Sequence, residues 1–495
     1  MALTIYNSYS RKKEEFKPIT PGHVGMYVCG PTVSGESHLG HARPYVTFDV
    51  LFRYLQHMGY KVRYVRNITD AGHFEEEGRE GVDKVSKKAL LEKLEPMELV
   101  QKYTNLFHWA MHEMNCLNPT IEPTATGHIV EQQVMIKKII DDGYAYESNG
   151  SVYFDVVKYS KSHDYGKLSG RILEDLLETT RKLEGQEEKR NLADFALWKA
   201  ASPEHIMRWE SPWGVGFPGW HIECSAMATK YLGPRFDIHG GGMDLLFPHH
   251  ESEIAQSTIC NDTPPVNYWM HNNMITVNGR KMGKSYNNFI TLTEMFSGKH
   301  PLLTQPVAPM TIRFFILQSH YRSTLDFSAE ALQSSEKAFK RLWESYELVK
   351  QLPVDNEKTG DEELNKKVLK WLDELEAFMN DDLNTAKVIA NLFELVPIIN
   401  GLRDKHIAKE ALPGSTIKLM HQKMKIFIED ILGLQNRSIS NHVIVRGIMD
   451  LIVNIRKEAR SKKDFVTSDL IRDKLNELGI ILKDEKDGSV SWNQQ

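Results

Sequence analysis

Met26–His41, MYVCGPTVSGESHLGH, decides how this chain folds. Val24, Met26 and Val28 alternate with their neighbours as in a strand, and Gly30-Pro31 ends it. A short polar loop leads to His38-Leu39-Gly40-His41. Phe48, Leu51, Phe52, Leu55 and Met58 then repeat at helical spacing until Gly59. Strand, glycine-bearing loop and helix form the unit with which an α/β sheet offers backbone N–H groups and a helix dipole to phosphates. Gly40 allows a nucleotide close approach, and His38 and His41 can donate to phosphate oxygens. Alone, the pair reads more readily as two polar histidines at a helix start.

A second stretch bears on that choice. Gly279–Asn288, GRKMGKSYNN, places Lys281 and Lys284 three apart in a loop rich in Gly and Asn. Such lysines can close over a triphosphate and neutralise the charge of departing pyrophosphate. HLGH after the first strand and KMGKS far downstream together resemble the class I aminoacyl-tRNA synthetases. Residues 211–227, SPWGVGFPGWHIECSAM, and 239–253, HGGGMDLLFPHHESE, resemble the cysteinyl-tRNA synthetase family within that class. The resemblance runs from about Ile5 into the C-terminal tail.

It implies an α/β Rossmann-like catalytic domain with a connective insertion, then an α-helical bundle domain and a small α/β C-terminal domain. The expected divisions are 1–115, the first half of the nucleotide-binding domain; 116–205, the insertion; and 206–275, the second half. They continue with 276–330, the lysine-loop linker; 331–432, a helical bundle binding the tRNA stem; and 433–495, an anticodon-binding domain. MNDDLNTA (379–386) resembles part of the stem-binding domain. Two departures stand out. Ala71-Gly72-His73-Phe74 replaces the usual Ile-Asp-Asp-Lys, and Gly283 replaces a serine, which removes a hydroxyl from the lysine loop.

Composition bounds the function. With 495 residues, 41% hydrophobic and 26% charged, the chain is long enough for several globular domains. Met1–Ser10 is polar, so no secretory leader is expected, and no apolar run approaches the ~18 residues of a membrane span. Four scattered cysteines suit a reducing cytoplasm, which is the expected location. The net charge of −5 excludes a global polycation, so nucleic acid must meet a local basic face. Between Arg437 and Lys463 seven basic residues stand against two acidic ones, a local balance of +5. That is the footprint expected for RNA phosphates, or else a solvated helix. Trp492 offers a possible stacking surface. The segment 179–190 reads as a charged loop.

Thr69 closes the second strand, Lys61–Ile68, where α/β sheets open onto substrate. His249 and Glu253, four apart after Pro248, share a helical face. With the thiols of Cys29 and Cys224 they make a donor set suited to Zn²⁺. The spacing is too spread to separate that reading from buried core cysteines. The resemblance chooses: the family's ligands fall on Cys29, Cys224, His249 and Glu253, one Zn²⁺ per chain. It likewise places Trp220, His221 and His239 around the amino acid, and His38, His41, Lys281 and Lys284 on ATP with its Mg²⁺. Cys116 and Cys260 match no ligand position. The implied activity is ATP-dependent activation of L-cysteine and transfer to tRNA(Cys) by a monomer with no membrane partner. A related cysteine:amino-sugar ligase and a non-catalytic RNA-binding homologue remain alternatives at this stage. The first should lack the basic tail, and the second should have lost motif residues.

Overall fold

The computed structural model describes residues 2–71, 85, 88–89, 94–177, 188–203, 205–283, 286–355, 360–436, 441–478, 480–484 and 490–494. Lys284, residues 72–74, residues 179–187 of the charged loop and Arg437 lie outside the described residues.

β1 (Thr4–Asn7) and β2 (Lys12–Glu15) form an antiparallel pair. β3 (His23–Val28) enters a parallel sheet and is buried from Met26 onward. That is the pattern of a strand covered on both faces. α1 (Leu39–His57) starts at His38, whose Nδ1 accepts from Gly40 N–H at 3.1 Å. It gives way to β4 (Lys61–Arg66), parallel to β3, and later to α2 (Pro96–Glu113).

The insertion follows: α3 (Ile129–Asp141), then β5 (Ala145–Ser148), β6 (Ser151–Phe154), β7 (Phe195–Ala200) and β8 (Gly216–Pro218). These four strands pair antiparallel in chain order over a core of their own that includes Val152, Phe154, Leu197 and Trp198.

α4 (Trp220–Leu232) leads back to the parallel sheet, where β9 (Phe236–Gly242) pairs with β3. α5 (Glu251–Asn261) and β10 (Val266–Asn272) complete the strand order β10-β9-β3-β4. The order reverses between β3 and β9, and there the carboxyl ends open a ligand crevice. A Cβ on Gly240 would lie 2.3 Å from the Phe48 ring, so only glycine lets α1 lie this close to β9.

The hairpin of β11 (Ile275–Val277) and β12 (Arg280–Lys281) carries the lysine loop. α6 (Leu292–Ser297) and α7 (Pro309–Leu317) precede β13 (Leu325–Phe327), which pairs with β11. The helical bundle is α8 (Ala329–Val349), α9 (Glu362–Asn380), α10 (Thr385–Arg403) and α11 (Gly414–Lys425). α10 is long and apolar enough for a membrane span, but 56% of that window is buried inside the protein. It is a bundle core helix. The tail is α12 (Asn441–Ser461), α13 (Phe465–Glu477), β14 (Ile480–Asp484) and β15 (Val490–Gln494), the last two an antiparallel hairpin. Two helices followed by a two-stranded hairpin make this tail an α/β unit.

One apolar core runs from the parallel sheet through the linker into the bundle. Two buried polar junctions fasten it. Asp49 on α1, 2% exposed, meets the fully buried Arg313 on α7. Arg313 also donates to the carbonyls of Leu432 (2.7 Å) and Met114 (3.0 Å). Asp382 accepts from Tyr6 N–H at 2.8 Å, Tyr321 Oη at 2.6 Å and Arg322 Nε at 2.7 Å. Asp382 and Leu383 adopt left-handed backbone at φ +62° and +55°. MNDDLNTA is therefore in large part an internal fastening: Asp382 is fully buried.

Asp49→Ala should lower stability by about 3–5 kcal/mol, because Arg313 then stays buried without its counter-charge. Opening the exposed Lys137–Asp141 pair should cost under ~1 kcal/mol. Urea unfolding of both variants checks the contrast.

Candidate active site and metal centre

Cys29 follows β3 directly, and its N–H donates to Gly240 O at 3.2 Å. This places its thiol beside residues delivered by β9 and by the segment before α5. Cys29 Sγ lies 3.9 Å from Cys224 Sγ on α4 and 3.8 Å from Glu253 Oε1 on α5. Zn–S bonds of ~2.3 Å in a tetrahedron put two sulfurs about 3.8 Å apart, so the pair fits one ion. His249 Nε2 is 3.0 Å from Glu253 Oε1, the shared face expected of residues four apart. The helix begins less regularly than Pro248 suggests, because Phe247 is extended at φ −141° before α5 takes over. All four expected ligands thus converge, and all are buried.

Sequence reasoning missed a fifth. His250 Nε2 lies 3.3 Å from Cys29 Sγ, and Cys29, His249, His250 and Glu253 offer donor atoms within 4.8 Å of one another. Its other ring nitrogen contacts His271 Nε2 at 2.7 Å, and His271 Nδ1 contacts Ser8 Oγ at 2.8 Å. The doubled His249-His250 was a visible signal. His271 had none, being placed only by the pairing of β10 with β9.

The cluster's electrostatics oppose burial. Desolvation pushes Glu253 up, but His239 and His249 outweigh it and hold the carboxyl at about 2. Desolvation likewise pushes His249 down, and the neighbouring Cys224 and Glu253 raise it to about 10. Burial raises the Cys29 thiol well above its ordinary value, and the nearby Cys224 adds to this. The Cys29 thiol by itself is therefore protonated at neutral pH. A divalent ion would reverse that balance.

The expected amino-acid residues surround the cluster. His239 Nε2 contacts Glu253 Oε2 at 2.9 Å, and His221 Nδ1 contacts His249 Nδ1 at 2.9 Å. Both are buried, whereas Trp220 is 37% exposed and packs its ring 4.6 Å from His249. Thr69 Oγ1 donates to the buried Glu223 at 2.6 Å and accepts from Asn67 Nδ2 at 3.1 Å. Glu223 and Asn67 were not singled out from sequence. Asn67 Oδ1 also accepts from Gly30 N–H at 2.8 Å, tying the ends of β3 and β4 together.

The two signature loops meet nearby. Leu39 N–H donates to Ile290 O at 3.3 Å and Leu292 N–H to Ser37 O at 2.8 Å, lacing HLGH to the chain beyond the lysines. A Cβ on Gly40 would lie 3.1 Å from the Met282 methyl, so the lysine loop rests on that glycine. The His38 and His41 rings stack at 3.7 Å. Desolvation lowers His41 to about 4, so it is a neutral imidazole at pH 7. Lys281 is exposed, and Asn288 Nδ2 donates to its carbonyl at 3.0 Å.

On the tail, Lys457, Arg460, Lys462 and Lys463 are exposed, whereas Arg456 is buried and leaves the basic face. Trp492 is half-buried opposite Leu482. Cys116 and Cys260 are buried, as packing residues.

Residues 15–337 match the class I (C) catalytic domain of tRNA synthetases, and 374–435 match the DALR domain. The chain is 58% identical to the cysteine–tRNA ligase of Phocaeicola vulgatus, covering 99% of this chain and 98% of that one. It is 58% identical to that of Bacteroides thetaiotaomicron (98% of each) and 48% to that of Chlorobaculum tepidum (100% and 99%). At 12% identity, Mycobacterium tuberculosis methionyl-tRNA synthetase bound to methionyl-adenylate superposes with a TM-score of 0.57 over 83% of this chain and 92% of that one. An Agrobacterium radiobacter LeuRS–tRNA complex does so at 12% identity and 0.57 over 86% and 87%. At that identity these two establish a common fold. With both signature loops in contact and the whole length accounted for, the chain belongs to the class I cysteine–tRNA ligase family.

Proposed function

We infer that this chain is a cysteine–tRNA ligase: it activates L-cysteine with ATP and esterifies the terminal ribose of tRNA(Cys). The observation that carries the reading is the buried Cys29–Cys224–His249–Glu253 cluster at the sheet's carboxyl edge, with Cys29 on the same strand–loop–helix unit that carries HLGH. The full-length match, with its DALR domain, leaves the amino-sugar ligase and the non-catalytic homologue without support.

A carboxylate oxygen of cysteine attacks the α-phosphorus of ATP, the Pα–O–Pβ bond breaks, and pyrophosphate departs. A ribose hydroxyl then attacks the carbonyl carbon of cysteinyl-adenylate, and AMP leaves with the electron pair. Neither step needs a protein nucleophile, so positioning and charge stabilisation do the catalysis. His38 and His41 serve as donors to phosphate oxygens, Gly40 gives room for the nucleotide, and Lys281 and Lys284 counter the charge on pyrophosphate, with Mg²⁺ carried in on ATP. Trp220, His221, His239 and Thr69 wall the amino acid.

Cys29, Cys224, His249 and Glu253 would hold one Zn²⁺, and the two-sulfur, one-nitrogen, one-oxygen donor set fits that ion. Bound zinc favours a thiolate over a hydroxyl, which separates cysteine from serine more sharply than packing can. His250, held by His271, orients the Cys29 sulfur. The six-part division of the chain, with the insertion carried on to β8, Lys457 and Arg460 of α12 with Lys462 and Lys463 just beyond it as an RNA-facing surface, cytoplasmic location and action as a monomer complete the proposal.

ATP–pyrophosphate exchange scanned across all twenty amino acids tests it: cysteine alone should support exchange, and equal activity with another amino acid would refute the assignment. Lys284→Ala should lower the maximal exchange rate about 10²–10³-fold with cysteine affinity nearly unchanged. The purified protein should hold about one zinc per chain, and Cys224→Ser should lower that content by metal analysis. Serine should be rejected at adenylate formation by more than the ~200-fold that shape alone gives.

A further inference from the structure

Arg43 stands two residues after the second histidine of HLGH, in the first turns of α1. Its side chain is 1% exposed. Among the described residues no carboxylate accepts from it, although a buried guanidinium ordinarily finds one. Instead, four backbone carbonyls receive it. Nη1 donates to Met274 O at 2.6 Å; Nη2 reaches His320 O and Tyr321 O, each at 3.3 Å, and Ser323 O. Desolvation lowers its pKa to about 10, so it remains a cation at neutral pH.

Those carbonyls belong to two particular places. Met274 directly precedes β11, whose hairpin partner β12 ends in Arg280–Lys281. Residues 320–323 form the turn before β13, the other neighbour of β11. One guanidinium therefore ties the root of the lysine-bearing hairpin to the turn that leads into β13, from the helix that carries the histidines. Asn273 closes the same joint from the outer side: its Nδ2 donates to Arg322 O at 2.9 Å, and its Oδ1 accepts from Met274 N–H at 2.7 Å.

We propose that Arg43 is a positioning residue for adenylate formation, fixing the root of the lysine loop against the HLGH helix so that both motifs address the same triphosphate. The proposal rests on the catalytic reading of Lys281 and Lys284 given above. Only a planar fork of five donors serves four carbonyls on two segments, and a lysine's point charge does not. A displacement of about 1 Å at such a root costs up to ~10²-fold in rate.

The experiment uses Arg43→Lys in the full-length zinc-loaded enzyme. The maximal rate of cysteine-dependent ATP–pyrophosphate exchange should fall ~10–100-fold, with the KM for cysteine and the zinc content changed less than ~3-fold. Limited trypsin treatment should cut faster after Arg280 and Lys281, both exposed in the hairpin, with other sites unaffected. Adding Lys281→Ala should cost little further rate, because two changes acting through one loop are not additive. Asn273→Ala loosens the joint from the outside and should lower the rate ~3–10-fold; it carries the test if Arg43→Lys does not fold. An unchanged rate and unchanged cleavage would overturn the proposal, as would a fall in rate that multiplies with that of Lys281→Ala. If Lys281→Ala and Lys284→Ala leave the rate intact, the reading of the lysines fails, and faster cleavage in Arg43→Lys still separates the two results.

Discussion

The parallel pairing of β3 with β9 is the constraint on which this molecule depends. Tyr27 faces His239 and Val28 faces Gly240 across some 210 residues of sequence. That pairing sets Cys29 beside the segment from β9 to α5, and so beside His249, His250 and Glu253. It also makes the point where strand order reverses, the one place in such a sheet where a crevice opens between carboxyl ends. Slipping the register by one residue would turn His239 away from Glu253 and carry Gly240 out from under Phe48. The Cys29–His249–Glu253 cluster, His239 and Gly240 share that single alignment.

The site combines two kinds of polar construction. Around Glu253 the groups are ionisable and close together, and their pKa values are driven far from ordinary ones because burial and neighbouring charges compete. Around Arg43 and Arg313 the charges are fixed guanidiniums that bind backbone carbonyls, which cannot titrate. The first kind can change state when an ion or substrate arrives. The second holds the elements still while that happens. Such a division suits a reaction in which placement and charge stabilisation carry the chemistry.

Much of this was legible in the sequence. The strand–loop–helix at Met26–His57 was visible from spacing and glycine alone, as were the bundle helices from their apolar repeats. The ligand set was not: Cys29 and Glu253 are over two hundred residues apart, and only the resemblance joined them. His250, His271, Asn67 and Glu223 escaped because a buried polar residue announces itself by its partners, and partners are a tertiary property. Within MNDDLNTA, Asp382 escaped for the same reason: its enclosure by Tyr6, Tyr321 and Arg322 exists only in the fold.

That enclosure bears on how the protein is made. Tyr6 N–H and Thr4 Oγ1 bond to Asp382 and Asn380, partners 376 residues away in the chain. At a synthesis rate of about 5–20 residues per second, the first strand waits some 20–75 s before its partner emerges. During that interval β1 has β2, while Ile5 and the preceding Leu3 have no bundle to cover them. Contacts this distant in sequence form slowly, since the chain between them must be ordered first. The bond that seals the finished molecule is therefore among the last to form, and the nascent amino-terminal strand is where a chaperone has the longest opportunity to act.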